Sequence, residues 1–207
     1  MKKIIYLLLV FLGLSLNAQV KHDSIISALI EKYNVKLDMK CEILIQTDVE
    51  NMIVPDKVVE LSFDDKGKPK FKGKGIGLLP KRGIINQYKE LLANPFQAIL
   101  ISKINDNLIY KLVSLDPKSE WITADIEFNP NTLLIHKYSV STKKHGIFDV
   151  SNNYKEHIYP SKSVVTFNIQ KFKLPIKFIG RNDPSKSKNS KEKDVVGTIT
   201  LHYTYIK

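Results

Sequence analysis

The sequence is poor in cysteine, tryptophan and histidine, the residues from which many catalytic and metal sites are built. It contains one cysteine, Cys41, one tryptophan, Trp121, and five histidines among 207 residues. A single cysteine excludes an intrachain disulfide and a paired-cysteine metal site, and no two histidines have metal-ligand spacing. A Gly-x-Ser-x-Gly nucleophile motif is absent as well. We therefore expect a protein that is not an enzyme and that uses no cofactor or metal.

A long apolar run occurs once, near the start of the chain. The run over residues 4–16 follows two lysines, and it is shorter than the roughly 20 residues that cross a bilayer. A basic start, a short apolar run and a small residue at Ala18 are typical of a cleaved secretory signal peptide. We predict a signal peptide over residues 1–18 and one periplasmic domain over residues 19–207. The residue directly after the predicted cleavage site is Gln19 and not the cysteine that would carry a lipid anchor.

Acidic residues are too few to balance the basic ones. The chain has 21 Asp and Glu against 32 Lys and Arg, and its formal net charge is +11. In a nuclear or cytosolic protein this excess would indicate nucleic acid, but an exported protein meets little of it, so we expect no nucleic-acid partner. The charge instead favours an anionic membrane surface or an acidic partner protein. A role in solubility alone stays open.

Hydrophobic spacing predicts one amphipathic helix followed by many strands. The segment HDSIISALIEKYNV carries an apolar stripe that Asp23 or Ser24 can cap. From residue 35 onward the period changes to two, and about ten segments bounded by turn residues indicate antiparallel strands. A short helix over residues 85–95 and a lysine-rich polar loop over residues 181–196 interrupt them. The long strands favour a mainly β (α+β) fold with a strongly curved sheet or barrel.

The stretch FKGKGIGLLPKRG, residues 71–83, alternates glycine with lysine but does not match a phosphate-binding loop. Nucleotide-binding motifs need other glycine spacings and a following helix, whereas Leu-Leu-Pro follows here. As a strand, the stretch places its lysines on a wet face and its glycines on the inner face. Glycine in a strand marks a bend or the close approach of another body. The missing side chains therefore leave a bend, or a space that a covering helix or an acyl chain could fill.

One face of the predicted strands is apolar, and we expect it to face the interior. A filled core and a lipid cavity have the same composition, so both interpretations stay open. Cys41 is expected to be a buried structural thiol, and Trp121 either packs in the core or lies at a cavity mouth. Strict alternation would put Trp121 on the face of Asp125 and Glu127, opposite Ile122. The candidate cavity residues are Met39, Cys41, Ile43, Gly73, Gly75, Gly77, Leu79, Ile122, Ala124, Ile126, Phe128, Val165, Phe167, Ile169, Leu201 and Tyr203.

Two segments carry a resemblance to a known family. WITADIEFNPNTLLIHKYSVSTKKHGIFDVSNNY, residues 121–154, and KVVELSFDDKGKPKFKGKGIGLLPKRG, residues 57–83, resemble the outer-membrane lipoprotein carrier (LolA-like) superfamily. The order of elements resembles that family over most of the chain, and LNAQ with abundant Lys, Asn and Ile looks like a Bacteroidetes-type secreted protein. The resemblance implies an incompletely closed antiparallel β-barrel whose concave side is covered by helices. It also implies a monomeric periplasmic carrier that binds lipid or lipoprotein acyl chains.

Two other functions stay open beside the carrier. One is a scaffold of the same fold with a filled core, which would act through its lysine-rich face or the loop over residues 181–196. The other is a small outer-membrane barrel, in which the charged alternate residues of the strand around residues 36–42 would line the lumen. The family's strand arginine has no clear match, since the arginines are Arg82 and Arg181.

Overall fold

The structure is a computed structural model that describes residues 23–34, 39–49, 53–64, 68–73, 91–155, 159–168 and 196–206. The predicted signal peptide, the lysine-rich loop and most of the predicted helix over residues 85–95 lie outside these ranges. Of that helix, residues 91–93 are described and are helical.

The predicted amphipathic helix is confirmed as α1 (Ser24–Tyr33). Asp23 caps it, because its Oδ1 accepts a hydrogen bond from the backbone N–H of Ile26 at 2.9 Å. The helix ends where the backbone N–H of Asn34 bonds to the carbonyls of the last turn. Its apolar stripe buries Ile26 and Leu29 completely, so α1 covers part of the sheet with the face that the spacing predicted.

The strands form one antiparallel sheet in the described part of the chain. Its order is β3-β2-β1-β10-β9-β8-β7-β6-β5-β4, so β3 and β4 are the two edges and the first strand pairs with the last. The chain therefore winds outward from β1 to one edge and then returns from the other edge. This confirms the predicted mainly β class and open, antiparallel arrangement. The strands are β1 (Lys40–Val49), β2 (Lys57–Phe63), β3 (Pro69–Lys72), β4 (Phe96–Ile104), β5 (Asn107–Ser114), β6 (Trp121–Phe128), β7 (Ile135–Thr142), β8 (Gly146–Asn153), β9 (Lys162–Asn168) and β10 (Val196–Ile206).

The sheet has an apolar inner face and a polar outer face, as period-two alternation requires. On β10, for example, Ile199, Leu201 and Tyr203 are buried while the residues between them are half-exposed. The buried residues of all strands from β1 to β10 except β3 join one hydrophobic core with Ile26 and Leu29 of α1. The core therefore lies between the inner face and the elements that cover it.

The first residues of the glycine stretch form a strand, as predicted, and Gly73 then lies against the backbone of β2. Phe71 packs against the core, whereas Lys70 and Lys72 are exposed. Gly73 follows with φ of 139°, and a Cβ there would lie 2.8 Å from the carbonyl oxygen of Val58. A side chain would collide with the backbone of β2, so close approach accounts for this glycine. Gly75, Gly77 and Leu79 lie outside the described residues.

The prediction that Ile122 lies on the inner face is wrong. The pairing of β6 with β7 shifts by one residue between Trp121 and Thr123, which inserts an extra residue and breaks the alternation. Trp121 therefore turns inward and is 7% exposed, whereas Ile122 is 45% exposed. From Ala124 onward the alternation is regular and follows the prediction.

Candidate functional site

The candidate site is the inner face of the sheet, where most of the predicted cavity residues lie. Met39, just before β1, is half-buried and packs against this face. Ile169 lies outside the described residues, and Gly73 leaves no space for a ligand because the backbone of β2 occupies it. Contact with a ligand stays a prediction for the whole set. The predicted residues that are buried on the inner face are Cys41, Ile43, Ala124, Ile126, Phe128, Val165, Phe167, Leu201 and Tyr203.

Both ends of α1 are fastened to the sheet by side chains. At its start, the hydroxyl of Tyr110 on β5 donates to Asp23 Oδ2 at 2.6 Å. At its end, the hydroxyl of Tyr33 donates to the carbonyl oxygen of Leu133 at 3.2 Å and accepts from the N–H of Ile135 at 3.3 Å. Burial and the hydrogen bond to Asp23 raise the pKa of Tyr110 to about 12. The helix is thus a fixed cover of the inner face.

One end of the inner face is rich in tyrosine; we call it the tyrosine end and define it by Tyr138, Tyr154, Tyr203 and Tyr205. Tyr154 donates to the carbonyl of Ile135 at 2.8 Å. Tyr203 and Tyr205 stack with ring centroids 6.3 Å apart and planes 12° apart. Burial raises the pKa of Tyr138, Tyr203 and Tyr205, so these hydroxyls stay protonated and can donate hydrogen bonds.

Two buried polar side chains support the tyrosine end. Asn152 Nδ2 donates to the carbonyl of Ile135 at 3.0 Å, and Ser163 Oγ donates to Asn152 Oδ1 at 2.7 Å. Sequence reasoning missed Asn152, Ser163 and the tyrosines other than Tyr203. The period-two alternation could have found two of them, because Asn152 and Tyr154 lie two and four residues after the buried Val150 and so share its face.

The opposite end of the inner face, the tryptophan end, is defined by Phe96, Leu112 and Trp121. Trp121 packs against Phe96 with ring centroids 6.5 Å apart. Its indole Nε1 is buried and has no hydrogen-bond partner among the described residues, and the same holds for the hydroxyl of Ser119 just before it. Core packing is therefore confirmed for Trp121, but its indole N–H makes no hydrogen bond to the described residues.

The inner face contains the chain's one thiol. Cys41 is fully buried and free, and burial raises the pKa of its thiol to about 12. A thiol that stays protonated is a poor nucleophile and a poor metal ligand, as expected for a structural cysteine. Within the described ranges, no three His, Cys, Asp or Glu side chains lie together as a metal site. The described helices include none long and apolar enough to cross a bilayer.

Two solved structures share this architecture. A LolA superfamily protein from Nitrosomonas europaea matches with a TM-score of 0.50 and 8% sequence identity, over 87% of this chain and 90% of that one. A DUF1329 family protein from Desulfovibrio piger matches with a TM-score of 0.50 and 9% identity, over 86% and 88% of the two chains. No protein-family model matches the sequence, and no curated protein is similar to it.

The fold is LolA-like. The predicted resemblance is thereby confirmed at the level of structure, and identities of 8% and 9% carry the fold alone. In this LolA-like sheet the tyrosine end and the tryptophan end lie on one continuous apolar face, which α1 partly covers.

The outer face of the LolA-like sheet carries a separate shallow trough of about 340 Å³ across β5 to β9. Two of its three carboxylates, those of Asp125 and Glu127, pair with lysines, and the third is that of Asp149. Asp125 pairs with Lys111 at 2.5 Å, and Glu127 pairs with Lys137 at 3.7 Å. Asn107 also donates to Glu127 at 2.8 Å. The trough therefore lies on the face of the sheet opposite the candidate site.

Proposed function

We propose that the protein carries or binds acyl chains of lipids or lipoproteins on the inner face of its sheet. It acts without catalysis, as a monomer in the periplasm, after removal of residues 1–18. Burial of an acyl chain against apolar side chains contributes about 25 cal/mol per Å², so the fold needs no cofactor for this task. The LolA-like fold and the apolar inner face agree with this role.

The observation that carries the proposal is a set of buried polar atoms without partners among the described residues: Trp121 Nε1, Ser119 Oγ, Thr47 Oγ1 and Tyr203 Oη. In a core filled by protein alone, each unsatisfied atom costs about 1–3 kcal/mol, and such atoms are rare. An acyl ester or amide brings carbonyl acceptors together with an apolar tail. Trp121 Nε1, which can only donate, is matched by such a carbonyl.

Trp121 makes the test specific, because it is the chain's one tryptophan and lies on the inner face. We expect lipid to co-purify with the native protein and to be detected by mass spectrometry of an extract. After delipidation, a fatty acid brominated along its chain should quench Trp121 fluorescence, and the same fatty acid without bromine should not. Excess unbrominated fatty acid should reverse the quenching by competition.

The matched variant is Trp121→Phe, which keeps an aromatic ring against Phe96 and removes the donor. Loss of one hydrogen bond of about 1 kcal/mol should weaken binding of a fluorescent acyl ester about fivefold. A protein that carries no lipid and shows no quenching would refute the acyl-chain role. The scaffold with a filled core would then be the better account.

A further inference from the structure

Two connections lie side by side at the tryptophan end of the sheet, the loop from β5 to β6 and the turn from β7 to β8. The backbone N–H of Lys143 donates to the carbonyl of Glu120 at 2.9 Å. Its Nζ donates to the carbonyl of Pro117 at 2.5 Å. Thr142 and Gly146 close the turn through a hydrogen bond of 2.9 Å. The two connections therefore form one surface.

This surface exposes three large apolar side chains. Leu115 is 48% exposed, Ile122 is 45% exposed and Ile147 is 55% exposed. Ile122 is the residue that the bulge of β6 turns outward. Ile147 lies opposite Ser141, which lies opposite Thr123, so Ile122 and Ile147 are two strands apart at the same end of the sheet.

Exposed lysines surround these apolar side chains. Lys118, Lys143 and Lys144 are all exposed. The two nearby carboxylates are half-buried and engaged. Asp116 Oδ1 accepts from the backbone N–H of Lys118 at 2.8 Å, and Glu120 lies 3.7 Å from Lys144 Nζ. We call Leu115, Lys118, Ile122, Lys143, Lys144 and Ile147 the loop-end patch.

We propose that the loop-end patch docks on the surface of an anionic lipid bilayer. Apolar side chains at such an interface insert below the headgroups, while lysine ammonium groups stay at the level of the phosphates. Without Lys2 and Lys3 of the predicted signal peptide, the formal net charge of +11 becomes +9, and this charge adds long-range attraction to an anionic leaflet. The patch borders Trp121, so docking brings the tryptophan end of the inner face to the bilayer. The proposal does not depend on the proposed function, since a protein without an acyl ligand can still bind a membrane.

The test is co-sedimentation of the purified protein with vesicles of phosphatidylcholine, with or without phosphatidylglycerol. We expect binding to the anionic vesicles, little binding to the neutral ones, and a decrease as salt is added. Lys118→Ser with Lys144→Ser should weaken binding about 30-fold. The matched control is Lys70→Ser with Lys72→Ser, which removes the same charge from the opposite edge strand and should weaken binding much less.

The apolar contribution is tested with a second pair of double variants. Ile122→Ser with Ile147→Ser should weaken binding about tenfold or more. The control is Val58→Ser with Ile206→Ser, whose side chains are similarly exposed, at 48% and 55%, and which should bind like the wild type. Thermal unfolding verifies that all four variants are folded. Equal losses in patch and control variants, or no binding of the wild type to anionic vesicles, would overturn the proposal and favour an acidic protein as the partner.

Discussion

Two tyrosines on β10 differ in what their hydroxyl groups contact. Tyr205 donates to the carbonyl of Pro160 at 2.7 Å. Tyr203 Oη is buried and makes no hydrogen bond of normal geometry within the described ranges, although the hydroxyl of Ser163, which donates to Asn152, lies beside it. Burial raises the pKa of Tyr203, and neighbouring Ser163 opposes that change. The pair thus offers a direct comparison of a satisfied and an unsatisfied hydroxyl.

We predict opposite effects of removing these two hydroxyls. Tyr205→Phe removes the hydrogen bond to the carbonyl of Pro160 and should lower the free energy of unfolding by about 1 kcal/mol. Tyr203→Phe removes an unsatisfied group, so the delipidated protein should be unchanged or slightly more stable, while its affinity for an acyl ester should fall. Urea unfolding and ligand titration measure the two effects. If Tyr203→Phe destabilises the delipidated protein as much as Tyr205→Phe does, the hydroxyl has a protein partner and the ligand argument fails for it.

The sequence predicts which face of the sheet most residues lie on, but it does not predict the residues at which the alternation breaks. Alternation placed Cys41, Ile126 and Leu201 on the buried side because each follows its neighbours at period two. It failed at Ile122 because a bulge depends on how β6 and β7 pair, and nothing in the local composition marks it. The unpaired state of Tyr203 was equally hidden, since hydrogen-bond partners come from distant strands.

At the level of elements, α1 shows how a predicted helix gains its place from contacts far along the chain. Its start and its apolar stripe follow from local sequence. Its anchors join Asp23 to Tyr110 and Tyr33 to Leu133, which are separated by 87 and 100 residues. The same carboxylate of Asp23 thus caps the helix and accepts from β5.

We predict that Asp23→Ala removes both the N-cap of α1 and the contact that holds the start of the helix to β5. Loss of the N-cap and of the Tyr110 contact should together lower the free energy of unfolding by about 2 kcal/mol. Hydrogen exchange of the amides of α1 should accelerate more than that of β5. Asp23→Asn keeps a capping oxygen and should lose about half as much. Ser24→Ala, an exposed neighbour, serves as the control, and an equal loss in that variant would contradict the anchoring role.

The ten strands were located from sequence because turn residues separate them. Asn105 has φ of 53° and Gly146 has φ of 76°, and both lie at turns that the sequence marked. The hairpin between β2 and β3 closes through Asp64 and Lys68, whose backbone groups bond at 2.9 Å. The close approach behind Gly73 was only one of several interpretations, since the register that brings Val58 against it belongs to a pair of strands.

At the scale of the whole molecule, the first and last strands of the chain are neighbours in the middle of the open sheet. β1 pairs with β10 over ten residue pairs, from Lys40 with Ile206 to Val49 with Gly197. Period-two patterns say nothing about which strands are neighbours, so the sequence did not predict the pairing of the first strand with the last. The pairing gathers Cys41, Tyr203 and Tyr205 at one end of the inner face.

The buried thiol and several buried phenols of the molecule have raised pKa values. Burial raises the pKa of Cys41 from 9.0 to about 12, and burial with the Asp23 contact raises that of Tyr110 from 10.0 to about 12. Burial also raises the pKa of Tyr33, Tyr138, Tyr203 and Tyr205. In the folded protein these groups keep their protons at a pH where the unfolded chain has lost them.

We predict that stability is independent of these groups below about pH 9 and decreases as the pH rises toward 12. Above pH 9 the unfolded chain loses protons from its thiol first and its phenols next, whereas the folded chain retains them. Folding then requires rebinding of protons, so the free energy of unfolding decreases with pH. Urea midpoints across this range measure the decrease. Cys41→Ala should move the onset of the decrease from near 9 toward 10. A free energy of unfolding that stays constant between pH 9 and 12 would show that these groups lose their protons equally in the folded and unfolded chain, against the burial described above.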